Sequence, residues 1–297
     1  QLALARIAFD KLVDGAYRPA AELFAVLGFD VVDLRDGKRR YLVVRETMGR
    51  PIRGWGFFAL DPSPARPYLL EAPHPVNDAR TGLQAARLTR RLGARGLILS
   101  TAHRCATPEL SGCSGKTTAC GSKRRWSPYR VSDMGHTERS LFHVAHVTFY
   151  DSSPDLVVIQ LHGFDRRPDR RLHYVLSDGT RLPAGSSRLS NRLARLLRRE
   201  LGSRRAVASC NEPTLHPIPL CGTQNVQGRQ VNGSPRPCRW RPRRSRNRFI
   251  HVEQSLDARK PGGPVEPRHL RQALARLQLP LRRLVRPAAL PARLPRP

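Results

Sequence analysis

Residues 154–165, PDLVVIQLHGFD, constrain this chain more than any other stretch. Leu156, Val157, Val158, Ile159 and Leu161 make a short, nearly all-apolar run rich in β-branched side chains. A run of that length and character predicts a strand buried on both faces, as in the central sheet of an α/β protein. It stops abruptly at His162-Gly163. In open α/β sheets the ligand crevice lies at the carboxyl ends of such strands. His162 is therefore placed to meet a ligand or a metal, although a lone histidine at a strand end is more often structural or simply exposed.

Two further strand-like runs shift that balance. RPYLLEAPHP (66–75) delivers His74 at its end, and RFIHVEQS (248–255) carries Glu253. Two histidines and a carboxylate brought by three strands are the parts of a catalytic zinc site. Alternation sets His251, Glu253 and Ser255 on one side of the last run, and that side is expected to look into the cleft.

Around these runs, helices are expected at 2–13, 19–27, 79–92, 138–149, 186–201 and 266–278, from apolar residues at helical spacing. Strands 41–46 and 55–60 read as an edge hairpin around Met48–Pro51; further strands are expected at 67–73, 95–101, 173–179, 206–210 and 248–254. Residues 105–132 read as a long loop, and 211–247 show little periodicity. Strands alternating with helices predict a single three-layer α/β domain with a mixed central sheet over residues 1–279. Residues 1–65 supply its N-terminal helices and hairpin, and 280–297, mostly Pro, Arg, Leu and Ala, read as a disordered tail. No GxGxxG, no phosphate-binding loop and no internal repeat is present.

Composition narrows the setting. No segment has 18 uninterrupted apolar residues, so no membrane span is expected. The net charge of +30 could attract an anionic polymer such as nucleic acid, acidic polysaccharide or polyglutamate. A basic non-enzymatic protein binding nucleic acid or an anionic cell-surface polymer is accordingly the competing reading. Against it, arginine is scattered through the chain and aromatic residues are not interleaved with it. Six cysteines, none in a C-x-x-C pair, argue against a zinc knuckle and for disulfides in an exported, periplasmic or extracellular protein. Pairing inside 105–120 and inside 210–238 is favoured; Gln1 in place of a starting Met suggests a removed leader or a fragment.

A zinc hydrolase holds its metal (Zn2+) with three protein ligands and leaves one position open. His74 and His162 are the best pair, Asp78 is the candidate third ligand four residues after His74, and Glu71 is the alternative. Glu253 is the candidate general base; otherwise it pairs with one of the many arginines. His103 and Arg104 end the 95–101 strand, where Arg104 could hold a substrate carboxylate or an oxyanion. Asp133 and His136 are expected to border the mouth and touch substrate. His143 and His146, three apart on a helix, are a weaker second metal site.

APHPVND, TAHR, VVIQLHG and FIHVEQS together resemble the N-formylglutamate amidohydrolases and the wider zinc carboxypeptidase-like group, over about residues 66–275. The resemblance implies a phosphorylase/hydrolase-like fold and zinc held by His74, a nearby acidic residue and His162. It also implies Glu253 as base, and His103-Arg104 in place of the asparagine-arginine pair that holds substrate in those enzymes. Carboxypeptidases use an H-x-x-E pair, whereas this chain has His74-Pro75-Val76-Asn77-Asp78. The implied reaction is hydrolysis of an amide bond in an N-acyl amino acid or peptide by metal-activated water.

Overall fold

The computed structural model describes residues 1–121, 125–165, 171–213, 218–263 and 265–279; the expected tail at 280–297 lies outside the described residues. In chain order the helices are α1 (Leu2–Val13), α2 (Tyr17–Val26), α3 (Thr81–Leu92), α4 (Leu141–Asp151), α5 (Leu189–Leu201), α6 (Val226–Val231), α7 (Leu256–Arg259) and α8 (Pro267–Arg276). The strands are β1 (Phe29–Asp36), β2 (Arg39–Glu46), β3 (Phe57–Leu60), β4 (Arg66–Ala72), β5 (Ala94–Leu99), β6 (Lys116–Thr117), β7 (Ser127–Pro128), β8 (Val157–Phe164), β9 (Tyr174–Ser177), β10 (Val207–Ser209) and β11 (Phe249–Ser255).

The most apolar runs lie in the middle, as burial on both faces demands. β5, β4, β8 and β11 are parallel neighbours, within a mixed sheet ordered β1-β2-β3-β5-β4-β8-β11-β9-β10. Helices cover both faces, giving the three layers expected. On one face Tyr68, Leu70, Ile159, Leu161, Ile250 and Val252 join a core with Leu88, Leu193 and Leu270 from α3, α5 and α8. On the other, Leu69, Val158 and Phe249 pack with Phe9, Phe24 and Phe149 of α1, α2 and α4.

That second face changes character along its strands. Because side chains alternate, the next residues on it toward the carboxyl ends are Glu71, Gln160, His162, His251 and Glu253. All five are buried. Register fixes their neighbours: Glu71 lies opposite Gln160, and His162 opposite Glu253. One end of this face is therefore an apolar core and the other a buried polar site.

Three expectations need correction. The strands expected at 41–46 and 55–60 do pair antiparallel, as β2 and β3, but the edge of the sheet is β1, paired with the other side of β2. β1 carries no apolar period: only Phe29 of its eight side chains is buried, five are partly buried and two are exposed. Within the unpatterned 211–247 stretch lies α6, short but capped by Asn225, whose side chain accepts from Gly228 N–H. The disulfides are Cys105–Cys120, Cys210–Cys221 and Cys113–Cys238. Each predicted segment holds three cysteines, an odd number, so fully local pairing was impossible and one bridge had to cross. Three disulfides point to an oxidising compartment, and among the described residues no helix is long and apolar enough to cross a membrane.

Candidate metal centre

His74 leaves the sheet two residues after β4, released by Pro73. Its carbonyl accepts from the N–H groups of both Asn77 (2.9 Å) and Asp78 (2.7 Å), a tight turn that brings Asp78 back beside it. Asp78 Oδ2 then stands 3.8 Å from His74 Nδ1 and 3.7 Å from His162 Nδ1. The same oxygen accepts from Gly163 N–H at 3.0 Å. Gly163 has no side chain for a reason: a Cβ there would lie 2.3 Å from the Arg259 guanidinium carbon. Arg259 in turn donates to Ala79 O, next to Asp78.

Both histidines are engaged from behind through Nε2. His74 Nε2 meets Asp133 Oδ1 at 2.7 Å, and His162 Nε2 meets Gln160 Oε1 at 2.7 Å. Their Nδ1 atoms therefore turn toward Asp78, and ligand atoms of His74, Asp78 and His162 all lie within 4.8 Å of one another. Two ligands on tetrahedral zinc, with bonds of about 2.0–2.1 Å, stand roughly 3.3 Å apart. Histidines that ligate metal almost always pass their other nitrogen to a carboxylate or similar acceptor. The donor set fits zinc.

Two other groupings of possible ligands share these residues: His74–Asp133–His136 and His162–His251–Glu253. The first is saturated. Asp133 Oδ1 already bonds His74 and His136 Nδ1 (2.8 Å), and Oδ2 accepts twice from Arg104, at 3.0 and 2.6 Å. The second puts His251 against His162, rings stacked with centroids 4.3 Å apart, and His251 Nε2 3.9 Å from Glu253 Oε1. Among the described residues eight buried side-chain polar atoms have no partner, and His74 Nδ1, His251 Nδ1 and Glu253 Oε2 are three of them. Leaving such an atom unpaired costs about 1–3 kcal/mol, so three within two groupings that share His162 mark a place built to be filled.

Electrostatics follow the burial. Burial, then the neighbouring Asp78, push Glu253 up to about 8 against the pull of Arg104 and Arg259. Burial, with His251 and His74 beside it, holds His162 well below the ordinary imidazole range, and burial takes His251 down to about 3. His74 is raised: burial and Arg104 oppose its charge, but Asp133 and Asp78 outweigh them. Asp133 is pulled well below the usual carboxylate range, its own burial being overcome by His136, His74 and Arg104.

The structure brings His74, Asp78, His162 and Glu253 together. It places Arg104 at the rim, 15 % exposed, its Nη1 making no hydrogen bond to the described residues. His103 is exposed and bonds Asn77, which also accepts from Arg104 N–H. His136 is partly exposed and stacks on Tyr129, centroids 3.8 Å apart. Three expectations are corrected. Asp133 is fully buried with both oxygens used, so it stands behind His74 instead of touching substrate. Glu71 is fully buried and points away, bonded to His146 Nδ1 (2.6 Å) and Gln160 Nε2 (2.9 Å), which removes it as a ligand and His146 from a second metal site. Sequence reasoning missed Gln160, although a glutamine inside an otherwise apolar strand was a signal, since a buried amide needs partners.

No family model and no curated protein matches the chain. Solved structures do resemble it. They include a bacteriophage poly-γ-glutamate hydrolase (12% identity over 76% of this chain and 88% of that one, TM-score 0.38). A gene product of Agrobacterium tumefaciens shares 12% identity over 72% and 86%, TM-score 0.39. A metallo-carboxypeptidase from Burkholderia cenocepacia shares 15% over 87% and 66%, TM-score 0.32.

Proposed function

We propose that this chain is a zinc-dependent hydrolase that cleaves an amide bond in an N-acyl amino acid or small peptide. One observation carries the reading: two buried histidines, each tied back through Nε2, present Nδ1 to a shared carboxylate, Asp78. His74, Asp78 and His162 would hold the metal. Zinc held there would supply a Lewis acid for the scissile carbonyl and would bring a water's pKa near 7.

The chain's own groups do the rest. Glu253, opposite His162 in the sheet, takes the proton from the attacking water and returns it to the leaving amine. Its unpartnered Oε2 is the atom available for that exchange. Arg104, braced by Asp133, keeps Nη1 for the developing oxyanion or for a negative substrate end. His103 and His136 border the substrate at the rim.

The test is metal content with turnover. Purified protein should carry about one zinc, lose activity on a panel of N-acyl amino acids and peptides after chelation, and regain it with zinc. Full activity in metal-free protein would reject the reading.

A further inference from the structure

Behind His162 lies a buried network that the reaction does not use. Gln160 Oε1 meets His162 Nε2 at 2.7 Å and accepts from Asn225 Nδ2 at 2.5 Å. On its other side Gln160 Nε2 donates to Glu71 Oε2 at 2.9 Å and to Gln227 Oε1 at 3.4 Å. Gln160, Glu71 and Gln227 are fully buried, and Asn225 is 1 % exposed.

The oxygen and nitrogen of an amide are told apart by their partners. Here two independent anchors decide. Asn225 Oδ1 accepts from the backbone N–H of Gly228 at 2.8 Å, so its NH2 must face Gln160 and must find an oxygen there. Glu71, engaged on Oε1 by His146, offers Gln160 only a carboxylate oxygen, so the other end of the amide must be the NH2. A flipped Gln160 would set NH2 on NH2 and oxygen on oxygen at once. Gln160 Oε1 is thus an obligate acceptor toward His162.

We infer that Gln160 is a positioning residue that locks His162 in its Nε2–H tautomer and leaves the Nδ1 lone pair facing Asp78, with Asn225 and Glu71 holding the lock. The purpose of the lock rests on the zinc reading; its geometry does not. A free imidazole must be caught in the right tautomer before Nδ1 can ligate, and here the selection is made before any ligand arrives.

Selective 15N-histidine labelling reads the tautomer in metal-free protein, and competition with a chelator reads zinc affinity. Wild type should show His162 protonated on Nε2. Gln160→Met should abolish that preference and weaken zinc by about 10–100-fold, the usual effect of losing a partner behind a ligand. Gln160→Glu alone sets two carboxylates together, whereas Gln160→Glu with Glu71→Gln keeps an acceptor toward His162 and reverses the contact between the two positions, the side chain at 71 now donating to that at 160, and should recover both readouts. Should Gln160→Met fail to fold, Asn225→Asp keeps the α6 cap but faces Gln160 Oε1 with an acceptor, and should weaken the tautomer preference likewise. A His162 that stays Nε2-protonated in Gln160→Met or Asn225→Asp, or that is Nδ1-protonated in wild type, overturns the inference. Since the tautomer is read without metal, a wild type that binds no zinc would sink the zinc reading and leave the lock to be judged on its own signal.

Discussion

His74 and His162 reach the same carboxylate from two strands, yet what stands behind them differs in kind. Behind His74 is Asp133, an ionised group shared with His136 and Arg104. Behind His162 is Gln160, a neutral amide whose partners lead away into the protein through Glu71 and α6. The first backing couples a candidate ligand to the residue proposed to meet substrate. The second couples a candidate ligand to the sheet and its helix layer. Charge holds one side of the site and hydrogen-bond polarity holds the other, so the two should fail differently.

The largest effect should come from removing the ligands themselves, which tests whether the two sides are equivalent at the metal. His74→Ala and His162→Ala should each lose zinc by more than the about 10–100-fold that a partner behind a ligand is worth. Glu253→Gln should separate from both. It should keep metal and fold and lose turnover by about 10²-fold or more, the scale of general-base catalysis. Elemental analysis beside kcat decides: a Glu253→Gln protein with near-normal turnover places the base elsewhere.

Much of this site could be read from the chain because it obeys two simple rules. Apolar β-branched runs become buried parallel strands, and residues at their carboxyl ends line the crevice; His74, His162 and Glu253 follow from that alone. What sequence did not give were contacts set by long-range packing. Asp133 was expected at the mouth because its neighbourhood is polar, but Arg104 and two histidines satisfy it and allow it to be buried. Asn225 lies in a stretch without periodicity, where a six-residue helix leaves almost no pattern. β1 escaped because an edge strand with half-exposed side chains has no apolar face to announce it.

Asp133→Asn probes the charged side and should cost less than losing a ligand. It keeps an acceptor for His74 but strips the counter-charge from Arg104, and breaking a buried pair by removing one partner costs about 3–5 kcal/mol. Arg104 keeps some solvent contact, so the loss should fall toward the lower end. Urea unfolding of metal-free protein should show it together with weaker zinc binding. If stability is unchanged, Asp133 is not the ionised hub described here.

The smallest effect is a pH signature in metal-free protein. Glu253 titrates at about 8 in the fold against an ordinary value of 4.5. For a group raised in this way, the folded state holds its proton more tightly than the unfolded state. Its contribution is fully present below pH 4.5 and is lost as pH rises through 8. His162 and His251 run the other way: held below the ordinary 6.5, they cost stability as pH falls from 6.5, when only the unfolded chain takes up their protons. Wild type and Glu253→Gln share the histidine loss on the acid side, so it cancels in the difference between them. That difference should be flat below pH 4.5 and grow in favour of Glu253→Gln up to about pH 8. Melting temperatures of the two chelated proteins across pH 4 to 9 measure it directly. A difference that does not change over that range would mean that Glu253 is already ionised in the metal-free protein.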